Sequence, residues 1–180
     1  MIKKILLVFV TTTLLLACKS NDNVDISLSN SDIVGTWNLI AFSSDASGKI
    51  SSKGIDVDFT SNSVGKNFNI TYTFDENPNL ISAKGKFTIV TTSIANGKST
   101  GAQEAEATAI NGLGSGKWKL NKNSITFNNP DGTSNVVEVI EFSGKNMKLK
   151  ASIDQDAILP TVSGADFDIK ADVFITLEKQ

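Results

Sequence analysis

The chain has 180 residues, including 17 lysines, no arginine and 19 acidic residues, and its formal net charge is −2 at pH 7. This mildly acidic composition contains no run of basic residues, which argues against a nucleic acid as partner. Histidine is absent and cysteine occurs once, so Ser-His-Asp catalysis, Cys-His catalysis and His/Cys sites for zinc or haem are excluded.

This composition leaves three kinds of site possible: carboxylate catalysis, lysine catalysis and calcium binding. None of the three Asp-x-Asp pairs has the spacing of a calcium loop: they are Asp56/Asp58, Asp154/Asp156 and Asp166/Asp168. Glu138 and Glu141 lie three apart on a predicted strand, so we expect their side chains to point to opposite faces rather than to form a hydrolytic pair. We therefore expect a protein that is not an enzyme and that has no cofactor or metal ion.

The N-terminus carries an export signal. Lys3 and Lys4 precede an apolar stretch over residues 5–16 that is shorter than the roughly 20 residues of a membrane-spanning helix, which predicts a signal peptide over residues 1–17. Leu15-Leu16-Ala17-Cys18 resembles the lipobox of bacterial lipoproteins, and the resemblance implies that Cys18 is acylated, for example with palmitate. The alternative is an ordinary secretory signal with an incidental cysteine. Because Cys18 is the sole cysteine, no intramolecular disulfide explains its presence.

The same resemblance gives a location and a domain boundary. Lys19 replaces the aspartate that retains enterobacterial lipoproteins in the inner membrane, which implies an outer-membrane lipoprotein of the cell envelope, on its periplasmic or surface-exposed face. Residues 19–23 are similar to the polar tether of some surface lipoproteins of Bacteroidetes. Residues 18–30 are rich in Asn, Asp and Ser, which predicts a flexible tether before one folded domain over residues 31–180.

Apolar and polar residues alternate with period two from the end of the tether to the C-terminus, which predicts β-strands. Nine strands are predicted, around residues 37–39, 55–59, 68–74, 83–89, 118–120, 125–127, 136–142, 147–153 and 173–177. Turn residues separate them at 47–48, 75–78, 121–123, 130–132 and 143–146. Short links and one apolar face per strand favour an all-β fold: an antiparallel up-and-down β-barrel of eight to ten strands without free edges.

Two segments do not follow this pattern. Residues 95–114 are rich in Ala and Gly and contain Gln103, Glu104 and Glu106, a composition compatible with a strand pair, a mobile loop or a short helix. Residues 155–165 contain Ile158-Leu159-Pro160, and we expect these apolar residues to fold over one mouth of the barrel.

The motif Gly35-x-Trp37 at the start of the first strand resembles that of the lipocalin family, where the glycine admits a close backbone approach and the tryptophan closes one end of the barrel. Together with G-K-W-K-L at 116–120, S-I-T-F at 124–127 and V-F-I-T-L-E-K at 173–179, the chain is similar to lipocalin-like lipoproteins of Bacteroidetes over roughly residues 31–179. Animal lipocalins usually place an arginine over this tryptophan. Since arginine is absent here, Lys179 and Lys150 are the candidates to replace it.

The resemblance implies that a small hydrophobic molecule binds inside the barrel. Phe59, Phe68, Tyr72 and Phe87 are then expected near the mouth, with the Tyr72 hydroxyl as a polar contact. The alternative is that these rings fill the barrel as a packed core without a cavity. In that case an interaction protein is expected, whose loops at residues 95–114 and 155–165 bind an envelope protein or a surface glycan.

Overall fold

The structure, a computed structural model, describes residues 26–110, 113–154 and 165–180. These ranges contain one short helix and nine strands: α1 (Asn30–Ile33), β1 (Gly35–Ser52), β2 (Ile55–Asp75), β3 (Leu80–Ala95), β4 (Lys98–Ala107), β5 (Ser115–Asn121), β6 (Ser124–Asn128), β7 (Ser134–Phe142), β8 (Asn146–Asp154) and β9 (Ala165–Lys179). The predicted signal peptide, Cys18, most of the predicted tether and nearly all of residues 155–165 lie outside the described residues. No helix within the described ranges is both long and apolar enough to cross a bilayer.

Eight of these strands form an antiparallel ring in the order β1-β2-β3-β5-β6-β7-β8-β9, and β9 pairs again with β1. β3 has two further partners, because residues 80–82 pair with β5 and residues 87–95 pair with β4. β4 thus lies outside the ring, and in the described part of the chain its other edge pairs with no strand. The up-and-down β-barrel predicted from the sequence is confirmed.

The observed nine strands are not the predicted nine. The predicted strands at 55–59 and 68–74 form one continuous strand, β2, and the ninth strand is β4, in the segment whose conformation the sequence left open. β2 changes register between Lys66 and Asn69, and Asn67 has a positive φ of 54°. This irregularity moves the inward-facing positions from odd to even residue numbers, and that shift made one strand resemble two.

The turn predicted at Ser47-Gly48 is also wrong, since both residues lie inside β1. A Cβ atom on Gly48 would lie 1.9 Å from the carbonyl oxygen of Asp168 on the neighbouring β9. The glycine is therefore required by the close approach of two strands, not by a turn.

Strand length divides the molecule into two regions. β1, β2, β3 and β9 have 18, 21, 16 and 15 residues, whereas β5, β6, β7 and β8 have 7, 5, 9 and 9. One side of the ring therefore ends early, and the long strands continue past it as a curved sheet. We call the distal part of this sheet, with β4, the extension (residues 43–52, 55–64, 90–107 and 165–174) and the rest of the described barrel the base.

The hydrophobic core lies mainly in the base. The largest fully buried side chains all belong to it: Ile33, Trp37, Leu39, Tyr72, Phe74, Phe87, Ile125, Phe127, Met147, Leu149, Ile175 and Leu177. The Phe74 ring contacts the rings of Trp118 and Phe127, with centroids 5.9 and 6.2 Å away. Each such side chain stabilises the fold by about 1.5–3 kcal/mol through burial.

The N-terminal segment closes the base from outside. The Asp32 carboxylate accepts hydrogen bonds from the Ser29 amide (2.8 Å) and hydroxyl (2.7 Å), which fix the first turn of α1 and lower the pKa of Asp32. Leu28 packs against the core, and its amide lies 3.4 Å from the carbonyl oxygen of Lys122 in the β5–β6 turn. The chain thus enters the domain at the base, two residues before the end of the predicted tether.

Candidate functional site

The tryptophan end of the barrel is sealed. Trp37 is fully buried, and its indole N–H donates a 2.8 Å hydrogen bond to the carbonyl of Ile33. The Lys179 ammonium lies 5.1 Å from the centre of the tryptophan ring and donates to the Asp32 carbonyl at 3.2 Å. Gly35 admits this lysine, because a Cβ there would lie 3.0 Å from Lys179 Cε.

Of the two lysines that the sequence analysis names as candidates to lie over Trp37, Lys179 occupies that position. It supplies the cation over the indole, an interaction of about 0.5–2 kcal/mol. Lys150 lies elsewhere, 5.6 Å from the centre of the Phe174 ring and paired with Asp172 at 3.3 Å.

The connection from β4 to β5 enters the barrel above this sealed end. Ile110 and Leu113 are 8% and 4% exposed and belong to the core. The Ile110 amide donates to the Tyr72 hydroxyl at 3.2 Å, and the Leu113 amide donates to the Ile110 carbonyl at 2.8 Å. Burial raises the pKa of Tyr72 to about 12, against the opposing effect of the Ile110 hydrogen bond. Ile110 thus lies between the packed base and the space above it.

That space is an inner cavity of about 420 Å³, within the size range of small-molecule sites. Its lining comes from β1, β2, β3, β8, β9 and the β4–β5 connection: Phe42, Ser44, Ala46, Phe59, Ser61, Ser63, Ile89, Ala109, Ile110, Ile153, Ile169, Ala171 and Val173. Ten of these residues are apolar and three are serines. None of the described lining residues is charged.

The predicted aromatic residues occupy two different environments. Phe59 lines the inner cavity. Phe68 and Phe87 stack with centroids 5.8 Å apart, and Phe87 and Tyr72 are each 1% exposed within the core. These three rings lie below the cavity rather than in its lining, and the Tyr72 hydroxyl is already held by Ile110.

Phe42 and Ile110 are among the lining residues that could not be assigned from the sequence. Phe42 faces inward because β1 shifts register against β9 between Leu39 and Ala41, which leaves Ile40 exposed and restarts the alternation at Phe42, Ser44 and Ala46. Ile110 lies in a segment without periodicity. The available signal for it is a pair of branched apolar residues, Ile110 and Leu113, in a stretch rich in Ala, Gly and Thr.

An outer groove of about 600 Å³ lies along the same strands and shares Ala46, Ser61, Ile153 and Ala171 with the lining of the inner cavity. Its other lining residues are mostly polar, among them Asp45, Asn62, Lys170 and Asp172, with Ile94 and the Phe174 ring. The Asn62 amide donates to Asp45 at 2.7 Å, and the Ser152 hydroxyl donates to Asp172 at 2.6 Å and lowers the pKa of that carboxyl, with a smaller effect from Lys150.

Of the carboxylates considered for chemistry, Asp56 is held by neighbouring side chains. Asp56 accepts from Ser51 at 2.7 Å and from Lys49 at 3.2 Å, and these bonds lower its pKa. Within the described ranges no group of three or more metal-ligating side chains comes together.

The prediction that Glu138 and Glu141 point to opposite faces is wrong. A register shift between Val139 and Glu141 turns both side chains outward. Glu138 accepts from Asn123 at 2.9 Å, and Glu141 pairs with Lys148 at 2.8 Å.

Comparison with known proteins agrees with this architecture. No curated protein and no solved structure matches the chain. The family described as "Lipocalin-like domain" matches residues 33–149, about two thirds of the chain, from the end of α1 into β8. This region includes Trp37 at the sealed end and seven of the eight ring strands in whole or in part. The chain therefore belongs to the lipocalin-like domain family.

Proposed function

We propose that this protein is a lipid-anchored protein of the bacterial cell envelope that binds a small hydrophobic molecule in the inner cavity. The observation that carries the proposal is an apolar cavity of about 420 Å³ above the buried core of the base in a lipocalin-like barrel. Apolar lining with few polar groups is typical of small-molecule sites. Binding rather than catalysis fits a chain without histidine and with carboxylates held in surface hydrogen bonds.

The anchor is inferred from the lipobox resemblance at Cys18, and the outer membrane from Lys19 at the next position. The similarity to lipoproteins of Bacteroidetes rests on the same N-terminal segment and the short strand motifs. Because Leu28 packs against the base, a lipid on Cys18 would be attached through the sealed end of the barrel rather than through the cavity end. Two or three acyl chains make such an anchor stable.

The anchor is tested by labelling the native host with an alkyne analogue of palmitate. We expect the full-length protein to take up the label and to fractionate with the outer membrane, and the Cys18→Ser variant to lose both properties. A Cys18→Ser variant that is still labelled would disprove acylation at this residue.

Ligand binding is tested with N-phenyl-1-naphthylamine, a neutral fluorescent probe whose emission rises in apolar surroundings. We expect saturable binding and an increase in the melting temperature, because a ligand at 100 times its Kd adds about 2.7 kcal/mol to stability. Ala46→Phe places a ring in the cavity and should abolish binding. Ala102→Phe is the matched control, since Ala102 is exposed on β4. Absence of saturable binding by the unmodified protein would refute the proposal.

The outer groove supports a second candidate function, recognition of a surface glycan. Its combination of Asp45, Asn62, Asp172 and Phe174 offers hydrogen-bonding groups beside one ring. Affinity electrophoresis in gels that contain host polysaccharide tests this function. Retardation that Phe174→Ala removes and Ser44→Phe leaves intact would assign binding to the groove, because Ser44 lines the inner cavity and not the groove.

A further inference from the structure

The strand register places the serines of the inner cavity at two adjacent depths. Ser44 on β1 pairs with Ser63 on β2. Two residues farther from the base, Ala46 on β1 pairs with Ser61 on β2. Since inward-facing side chains recur every second residue, the three hydroxyls form a compact patch on the wall made by β1 and β2.

Apolar side chains lie on both sides of this patch. One step farther from the base, Phe59 and Ile169 both pair with Gly48 and line the outer part of the cavity. Toward the base, Phe42 and Ile110 line the cavity floor. The polar patch is therefore in the middle of the cavity, between an apolar floor and an apolar mouth.

The serine hydroxyls are held in place but retain bonding capacity. Ser63 and Thr91 are hydrogen-bonded at 2.8 Å, and Ser93 donates to Ser61 at 3.2 Å. Ser44 has no side-chain hydrogen bond to any other residue that the structure describes. A hydroxyl offers one donor and two acceptor positions, so this wall can bond a further oxygen atom.

The described lining of the inner cavity carries no charged side chain. The charged residues of these strands, such as Asp45, Lys170 and Asp172, border the outer groove instead. A charged group at the depth of the serines would be removed from water and would find hydroxyls alone as partners, which is costly. At the mouth, the described lining residues Phe59 and Ile169 offer such a group no counter-ion.

We propose that the inner cavity selects a neutral molecule that is apolar at both ends and carries a hydrogen-bonding oxygen near its middle, such as a mid-chain alcohol, ketone or ester. This inference rests on the binding function proposed above. The serine patch bonds the central oxygen, and the apolar arms extend toward Phe42 on one side and Phe59 on the other.

Competition against N-phenyl-1-naphthylamine with four eleven-carbon compounds tests the inference: undecan-6-ol, undecan-1-ol, undecane and undecanoate. We expect undecan-6-ol to bind threefold to tenfold more tightly than undecane and undecan-1-ol, the range that one or two hydrogen bonds give. Undecanoate should bind weakly at pH 7. Its apparent affinity should rise as the pH falls toward the range in which carboxyl groups become neutral, about 4 to 5.

The outcomes separate the inference from the function on which it rests. If the probe binds but undecan-6-ol competes no better than undecan-1-ol, the central-oxygen assignment is wrong while a binding cavity remains. If undecanoate competes best at pH 7 and independently of pH, the neutrality assignment is wrong. If neither the probe nor any of the four compounds binds, both the inference and the proposed function fail.

Variants of the cavity serines test whether their hydroxyls bond the oxygen of undecan-6-ol. Ser61→Ala and Ser63→Ala should each weaken undecan-6-ol binding about threefold to tenfold and leave undecane binding unchanged. Ser43→Ala is the matched control, because Ser43 lies next to Ser44 on the outward face of β1. Equal losses for undecan-6-ol and undecane would show that the serines shape the cavity without bonding the ligand, and would overturn the inference.

Discussion

Along β1 the inward-facing side chains change from large to small. In the base they are Trp37 and Leu39, which are 0% and 2% exposed. In the extension they are Ser44 and Ala46, which border the inner cavity. The same backbone pairing with β2 and β9 continues through both regions. Side-chain volume, not a change of fold, therefore determines where the barrel is packed and where it is hollow.

The two regions also differ in how their sheets are completed. The base closes through short strands β5 to β8, and the core fills it. The extension ends at β4, whose inward positions Gln103 and Ala105 are exposed. Stability is thus concentrated in the base, and the extension is stabilised by its attachment to it. This division allows a cavity to form without loss of the core that holds the strands together.

The largest difference in stability between the two regions should come from truncation of a buried ring in the base. Trp37→Ala removes a fully buried side chain from the sealed end and should lower the free energy of unfolding by about 3–5 kcal/mol. Ile94→Ala in the extension, where the side chain is 42% exposed, should lower it by less than about 1 kcal/mol. Urea denaturation measures both, and similar losses would contradict the contrast between base and extension.

Alkaline pH should destabilise the base through Tyr72, the sole tyrosine of the chain. Its pKa is raised from 10.0 to about 12 in the folded protein. The folded state therefore favours the neutral phenol. This contribution, about 3 kcal/mol, is complete below pH 10 and is lost as the pH rises from 10 to 12.

Absorbance at 295 nm follows Tyr72 alone, and we expect its midpoint near pH 12 in the folded chain and near pH 10 in denaturant. Tyr72→Phe is the control, because its stability should fall less steeply between pH 10 and 12 than that of the unmodified protein. A folded-state midpoint near 10 would show that the hydroxyl is open to solvent.

The base was more predictable from the sequence than the extension, for a physical reason. Period-two alternation reports that one face of a strand is buried, as in residues 68–74 and 147–153. β4 carries no such signal because almost all of its side chains are exposed. Register shifts in β1 and β2 change which residues face inward, so the alternation does not show that Phe42 faces inward and makes β2 resemble two strands.

The candidate site was predictable only in part. Phe59 was identified because it belongs to a clean alternating stretch. The serines were not identified, since inward-facing polar residues have the same alternation as outward-facing ones. Their position depends on strand pairing between residues far apart in sequence, and a single sequence does not contain that pairing.

In the extension, substitution of Gly48 should lower stability more than substitution of its exposed neighbour Ser47. Gly48→Ala places a methyl group against the backbone of Asp168 and Ile169, and should cost about 1–3 kcal/mol as β9 is displaced from β1. Because Ile169 lines the inner cavity, probe binding should weaken as well. Ser47→Ala is the control. Unchanged stability and binding in Gly48→Ala would mean that the two strands do not approach this closely.

The smallest predicted difference in stability is between variants of two lysines, Lys179 and Lys66. Lys179→Met removes the cation over Trp37 and the hydrogen bond to the Asp32 carbonyl, and should cost about 1 kcal/mol. Lys66→Met removes a salt bridge to Glu104 between half-exposed side chains, and should cost less than about 0.5 kcal/mol, with the loss disappearing in 1 M salt. Denaturation at two salt concentrations measures both effects. If the Lys179 effect also disappears in high salt, its contact with the indole is a surface interaction and the base is less sealed than its geometry indicates.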